Sequence, residues 1–394
     1  MLLATMASPG AAIAQTCGGQ CPLAALFLPV TAAAGDQTNS PRGADPEWLP
    51  PSPSFLNGGP TGSIPRWTLS AEAIVLGRLG GADQALVGRV PGSVPFDLTS
   101  VPGVEAFNSN QFQPAFSAGP KVDLIYRLEP DYGVEFSYFN IFDQNASKVI
   151  GPDSPADWLV MKAPGTFWQT QDFPYQGMAW SAATNLYSAE ANGRFDLSSR
   201  VTILAGLRWL QLNDNLVGTL TPADLTQPNW KKAAFPGYTL SQVAQLPPDG
   251  TAGNYPPFWN TGTTNNLYGV QIGADGKILQ LGRFSLDGLI KIGAFANNAE
   301  QSTGVSLQKI VYPSTAATTN TAFVSEASLQ LKYQLVRGLA LKAGYEVLWL
   351  AGVALAPGQI QETFTTPSSV RAIGVNFGSN TLFQGGTFGL EYSF

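Results

Sequence analysis

The chain has 394 residues with a formal net charge of −6, and its 12% charged residues barely exceed its 11% aromatic ones. An ordinary soluble domain carries roughly twice that share of charge, so much of this chain's surface is suited to something other than water. His is absent, which excludes Ser-His-Asp and Cys-His catalytic sets and His-ligated zinc, and the acidic balance argues against a nucleic-acid partner.

Residues 2–14 read LLATMASPGAAIA, and Ala12-Ile13-Ala14 fits a signal-peptidase site. No basic residue precedes it, so 1–14 are read as a signal peptide truncated at its start. Residues 15–64 are rich in proline and hold no lasting period, which predicts a periplasmic linker or plug-like segment. This stretch carries Cys17 and Cys21. Their spacing is too sparse for a metal site, and export makes them a disulfide candidate against two free thiols. No run of about 20 apolar residues occurs anywhere, which excludes a helical membrane protein.

From Trp67 onward apolar and polar residues alternate, the period of a strand with two unlike faces. Ten such segments follow, at 67–78, 116–128, 132–143, 186–197, 201–211, 267–280, 284–297, 323–335, 339–353 and 381–394. Each is long enough to cross a bilayer at a tilt. Very short connections follow the even segments: Glu129-Pro130-Asp131, Ser198-Ser199-Arg200, Leu281-Gly282-Arg283 and Val336-Arg337-Gly338. Long ones follow the odd segments. The pattern predicts an all-β fold, an antiparallel up-and-down transmembrane β-barrel with short periplasmic turns and long extracellular loops spanning 65–394. About ten strands are expected, with both termini periplasmic. The count rises to twelve if 87–94, 305–312 or 370–377 add strands rather than extend hairpins above the membrane.

The charges sort onto one face of these segments. They are Glu72, Lys121, Asp123, Arg127, Glu135, Glu190, Arg194, Asp196, Arg208, Asp275, Lys277, Asp287, Lys291, Glu326, Lys332, Lys342, Glu346 and Glu391. Lipid is the physical cause, because an outward Arg or Lys at the bilayer midplane costs about 2–4 kcal/mol. These eighteen are therefore the predicted lumen lining, ten acidic and eight basic. Such near balance suits an ion-paired interior bracing a narrow barrel as well as it suits a path for small polar solutes. Asn213-Asp214-Asn215 is read as a loop entry too poor in oxygens for calcium. No metal, cofactor or catalytic residue is expected, and the sequence assigns no oligomeric state.

The chain ends TLFQGGTFGLEYSF, with Phe388, Leu390, Tyr392 and Phe394 in one outward phase. An aromatic-ended final strand of this kind is the predicted signal to the barrel-assembly machinery, which acts by strand addition. Here RWTLSAEAIVLGR, YGVEFSYFNIFD, GYEVLWLAGVALAPGQI and TLFQGGTFGLEYSF resemble the pieces shared by the BBP7 family of outer-membrane β-barrel porins. The resemblance covers most strands and implies the fold, the outer membrane and its lipid as surroundings; it carries over no functional residues. The connections expected to be long loops hold Trp158, Trp168, Trp180, Trp230 and Trp259, either an external platform for sugars or apolar solutes or the small cores that such loops need. Two functions follow from sequence: a porin-like channel for passive diffusion of small polar solutes, and a non-conducting structural or surface-interaction barrel.

Overall fold

The computed structural model describes residues 65–91, 104–161, 175–222, 251–252, 257–306, 310–366 and 369–394. The signal peptide, the Pro-rich segment with Cys17 and Cys21, Trp168 and Trp230 lie outside the described residues.

Ten strands form the barrel: β1 Trp67–Leu79, β2 Ser117–Arg127, β3 Tyr132–Ile150, β4 Tyr175–Asp196, β5 Val201–Pro222, β6 Phe258–Leu281, β7 Phe284–Ser306, β8 Ile310–Val336, β9 Leu339–Val353 and β10 Ser379–Ser393. Each pairs antiparallel with the next, and β1 pairs with β10, so the ring closes. All ten correspond to the segments read from alternation. The turn between β6 and β7 has Gly282 at a φ of +58°. That positive φ is open to glycine without strain, and it gives a two-residue turn the twist that matches its strands.

The outward face of the lower barrel is apolar. On β6 it runs from Tyr268 through Val270 and Ile272 to Ile278, all more than half exposed. Ten residues at about 3.4 Å each, tilted by about 40°, span about 26 Å, the height of the apolar band of a membrane barrel. Aromatic pairs mark the short-turn end of this band: Trp67–Tyr126 at 4.4 Å, Tyr132–Phe195 at 5.0 Å, Phe284–Tyr333 at 4.7 Å and Tyr392–Phe394 at 5.5 Å between centroids. At the other end Trp209 and Tyr268 are cross-strand partners. Such girdles sit at membrane interfaces.

Six strands, β3 to β8, rise well past that upper girdle. The segment of β6 from Leu267 to Phe258 climbs by roughly another 24 Å on the same geometry. Sequence reasoning placed these stretches in loops. Alternation persists in them, but the outward face changes to Gln211, Asn213, Asn215, Thr264, Asn266 and Asn298, so the apolar face that betrayed the lower strands is missing. Asn213-Asp214-Asn215 accordingly lies within β5 rather than at a loop entry. The three candidate extra strands do not enlarge the ring. Ala85–Val90 joins Val104–Asn108 and Trp158–Met161 in a sheet continuing from the top of β4. Residues 305–306 end β7 and 310–312 begin β8, and Ser369–Ala372 forms a small hairpin with Thr363–Thr366.

Candidate functional site in the lumen

The inward side chains form distinct layers from the turns upward. The lowest is charged. Arg127 and Asp196 pair at 2.7 Å, and Lys332 lies 3.1 Å from Asp287 and 2.8 Å from Glu391. Lys342 pairs with Glu72 at 2.6 Å and also reaches Glu391 at 3.7 Å. Arg194 bridges Glu135 and Asp275.

Deeper in, Lys291 lies 2.7 Å from Glu190 and 3.8 Å from both Glu135 and Glu326. Arg208 reaches two of these three glutamates, at 3.2 Å to Glu190 and 2.7 Å to Glu326. Lys121 pairs with Glu346 at 2.5 Å. Gln271 donates to Glu190 at 2.7 Å, and Asn192 donates to Glu135 and Glu190. None of Glu190, Arg208, Lys291 and Glu326 exposes more than 6% of its side chain. Charges buried to this degree persist because each is paired.

Sixteen of the eighteen predicted lining residues thus join ion pairs. The two others sit apart. Asp123 accepts a hydrogen bond from Ser137 at 2.5 Å, and Lys277 donates to Gln280 at 3.5 Å. The interior is a bonded network rather than a ring of one sign.

Above the charges the lumen turns apolar. Ile74, Leu76, Phe139, Ile141, Leu186, Leu210, Leu212, Leu267, Phe295, Val324, Leu348, Leu350 and Phe383 form one cluster, contributed by every barrel strand except β2. None exceeds 4% exposure. The Arg208 guanidinium stands 6.0 Å over the Phe139 ring, which joins the two layers.

A polar collar follows. Arg78 pairs with Asp214 at 2.6 Å and donates to Thr184 at 2.5 Å and to Thr381 at 3.1 Å. The other Asp214 oxygen accepts from the backbone N–H of Ala356 at 2.9 Å. Thr263 and Asn265 donate to the Ala354 carbonyl at 2.9 and 2.7 Å, and the Ala354 N–H donates back to Asn265 at 2.7 Å. Asn297 holds Asn265 at 2.9 Å. These side chains grip the segment after β9 and draw its 3₁₀ turn, Ala356–Glu362, into the mouth of the barrel. Residues 356–360 are buried there.

A second apolar core closes over this turn. Trp180, Trp259, Tyr175, Met161, Phe107 and Ile360 are among its members. Trp180 and Trp259 lie in β4 and β6 rather than in loops, and both are fully buried. Of the five tryptophans weighed as an external platform, the three described ones are core.

Sequence reasoning missed Arg78 and Asp214. Arg78 shares the inward phase of Glu72 and was within reach of the same test. Asp214 was hidden by the misplaced end of β5. The C-terminal residues behave as a strand: Phe388, Leu390, Tyr392 and Phe394 are exposed on the outward face. The Phe394 N–H donates to the Trp67 carbonyl at 2.9 Å, and the Trp67 N–H donates back at 3.0 Å.

No family model matches the chain, and no curated protein does. The chain is a ten-stranded transmembrane β-barrel. Among solved structures it is similar to the outer membrane protease OmpT from Escherichia coli, at 8% identity over 85% of this chain and 99% of that one, with a TM-score of 0.43. It is also similar to the toluene transporter TodX of Pseudomonas putida, at 11% identity, 87% and 92% coverage and a TM-score of 0.28. A FadL homologue of Pseudomonas aeruginosa matches at 9% identity, with 84% and 90% coverage and a TM-score of 0.28. At these scores the likenesses carry no argument about activity.

Proposed function

We propose that this chain is a non-conducting barrel of the bacterial outer membrane that holds a β-structured cap above the surface for interaction with a partner or ligand. The observation that carries this reading is the apolar layer across the lumen, with no member above 4% exposure. A hydrated ion or polar solute loses its water in such a layer and finds no hydrogen-bonding group in exchange, which costs several kcal/mol. The ion-paired layer below and the gripped turn Ala356–Glu362 above close the same path twice more.

The short turns then face the periplasm, with both termini on that side, and the tall strands β3 to β8 face outward. The strand segments that resemble the BBP7 family belong to this reading, without the pore that its name implies. No catalytic role is assigned. Loading on the barrel-assembly machinery through the strand ending at Phe394 is part of the proposal.

The test is single-channel conductance of residues 15–394 refolded in detergent, with folding confirmed by heat-modifiable gel mobility. A folded protein that gives no discrete steps in planar bilayers is the expected result. Discrete steps would overturn the reading. They would restore passive diffusion of small polar solutes along Lys121, Arg194, Lys277, Lys291 and Glu346.

A further inference from the structure

The cations of this protein divide sharply by place. Those facing the lower lumen are ion-paired, Lys277 excepted, as Arg127 is with Asp196 and Arg194 with Glu135 and Asp275. At the short-turn rim the arginines are not. Arg66 precedes β1, Arg200 lies in the turn between β4 and β5, Arg283 in the turn between β6 and β7, and Arg337 in the turn between β8 and β9. All four are exposed. Among the described residues none of them is in an ion pair.

Their height is set by the chain itself. Arg66 is the neighbour of Trp67, and Arg283 is the neighbour of Phe284; both aromatics are exposed members of the girdle. Girdle rings sit at headgroup level, so a residue one position further out stands at the depth of lipid phosphates. The remaining turn, Glu129-Pro130-Asp131, is acidic. The rim therefore has a basic arc from the β4–β5 turn round to β1, with an acidic gap at the β2–β3 turn.

We propose that this arc is a binding surface for anionic phospholipid, the guanidinium groups receiving headgroup phosphates beside the aromatic girdle. The membrane is the one partner necessarily present at this height. Arginine suits the role because its planar fork meets phosphate oxygens two at a time. A basic residue near an anionic surface strengthens lipid association by roughly fivefold at low salt. The proposal rests on the membrane-spanning reading of the barrel and is independent of whether the lumen conducts.

The experiment is lipid competition at the barrel surface. The refolded protein is placed in vesicles of phosphatidylcholine mixed with brominated phosphatidylglycerol, or the reverse, and quenching of tryptophan fluorescence gives the relative association constant. The unaltered chain is expected to prefer phosphatidylglycerol by about threefold or more at low salt, and to lose that preference at high salt. A variant carrying Arg66→Gln, Arg200→Gln, Arg283→Gln and Arg337→Gln is expected to show a ratio near one. These side chains hold no ion pairs, so the variant should fold with the normal heat-modifiable mobility; single substitutions give graded losses if it does not. Lys148→Gln, on the tall side of the barrel, should leave the preference intact. Equal association of both lipids with the unaltered chain, full preference in the arginine variants, or its loss in Lys148→Gln would each overturn the proposal.

Discussion

Lys291→Met asks whether the charged layer is dry. Lys291 is 6% exposed and faces Glu190 at 2.7 Å, with Glu135 and Glu326 at 3.8 Å. Removing its ammonium leaves Arg208 to serve Glu190 and Glu326 and leaves Arg194 to serve Glu135. The layer then carries one more uncompensated negative charge than before, with nowhere to hydrate. Breaking a buried pair by removing one partner costs about 3–5 kcal/mol, whereas a pair exposed to a water-filled lumen is worth only about 0–1 kcal/mol. The same substitution thus separates an occluded barrel from a pore. Urea unfolding in detergent, followed by tryptophan fluorescence, reads the difference. With a slope of about 1–3 kcal/mol per molar, the midpoint should fall by more than about 1 M. Adding Glu190→Gln removes the surplus charge and should recover part of the loss. A loss below about 1 kcal/mol, with no recovery in the double variant, would refute the dry layer and the closed-barrel argument with it.

Three other perturbations probe register, closure and plug. Val122 and Ala343 point outward in the apolar band, so Val122→Arg or Ala343→Arg should each lose about 2–4 kcal/mol of membrane stability and fail in vesicle refolding; normal refolding of both would mean the strand phases are wrong. Gly385 faces inward on β10, where an added Cβ would lie 1.9 Å from the Val75 carbonyl oxygen. Gly385→Ala must therefore push β10 from β1, and thermal unfolding of the refolded protein should come at least several degrees lower; an unchanged midpoint would contradict that approach. Asp214→Ala strands the buried Arg78 and frees the Ala356 N–H. It should cost about 3–5 kcal/mol and speed protease cleavage within 354–362, and unchanged cleavage would show that Asp214 does not hold the turn.

The barrel was legible in sequence wherever lipid wrote on it. Positions such as Val122, Tyr268 and Ala343 had to be apolar on one side, and positions in the opposite phase, such as Lys121, Gln271 and Lys342, were free to be polar, so phase and strand number followed. Above the girdle that constraint ends. Asn213, Thr264 and Asn298 face outward there, while Leu212, Leu216 and Trp259 face inward. The alternation is inverted relative to the membrane segments, and it read as loop. The eighteen lining positions were recoverable because a charge on the lipid face is so unfavourable. Their pairing was not, since Lys291 on β7 meets Glu190 on β4, 101 positions away in the chain. The inward turn at 356–360 was equally hidden. Its grip by Asp214, Thr263 and Asn265 exists only once β5 and β6 stand side by side.

The seam between β1 and β10 bears on how such a ring comes into being. Nine of the ten pairings join strands adjacent in sequence, but the tenth sets Thr68 against Ser393, 325 positions away. The entropy of closing so long a loop grows only slowly, by about 0.6 kcal/mol for each doubling of length, yet pairings of high sequence separation are the slow ones. The chain is then a row of hairpins waiting for one terminal event. Until it happens, two strand edges stand open at opposite ends of a curling sheet, each a template for a foreign strand. The reciprocal hydrogen bonds of Trp67 and Phe394 are the lowest tooth of that zipper. In the finished ring the seam is one strand boundary among ten; during assembly it is the interval in which the nascent protein is most exposed to error.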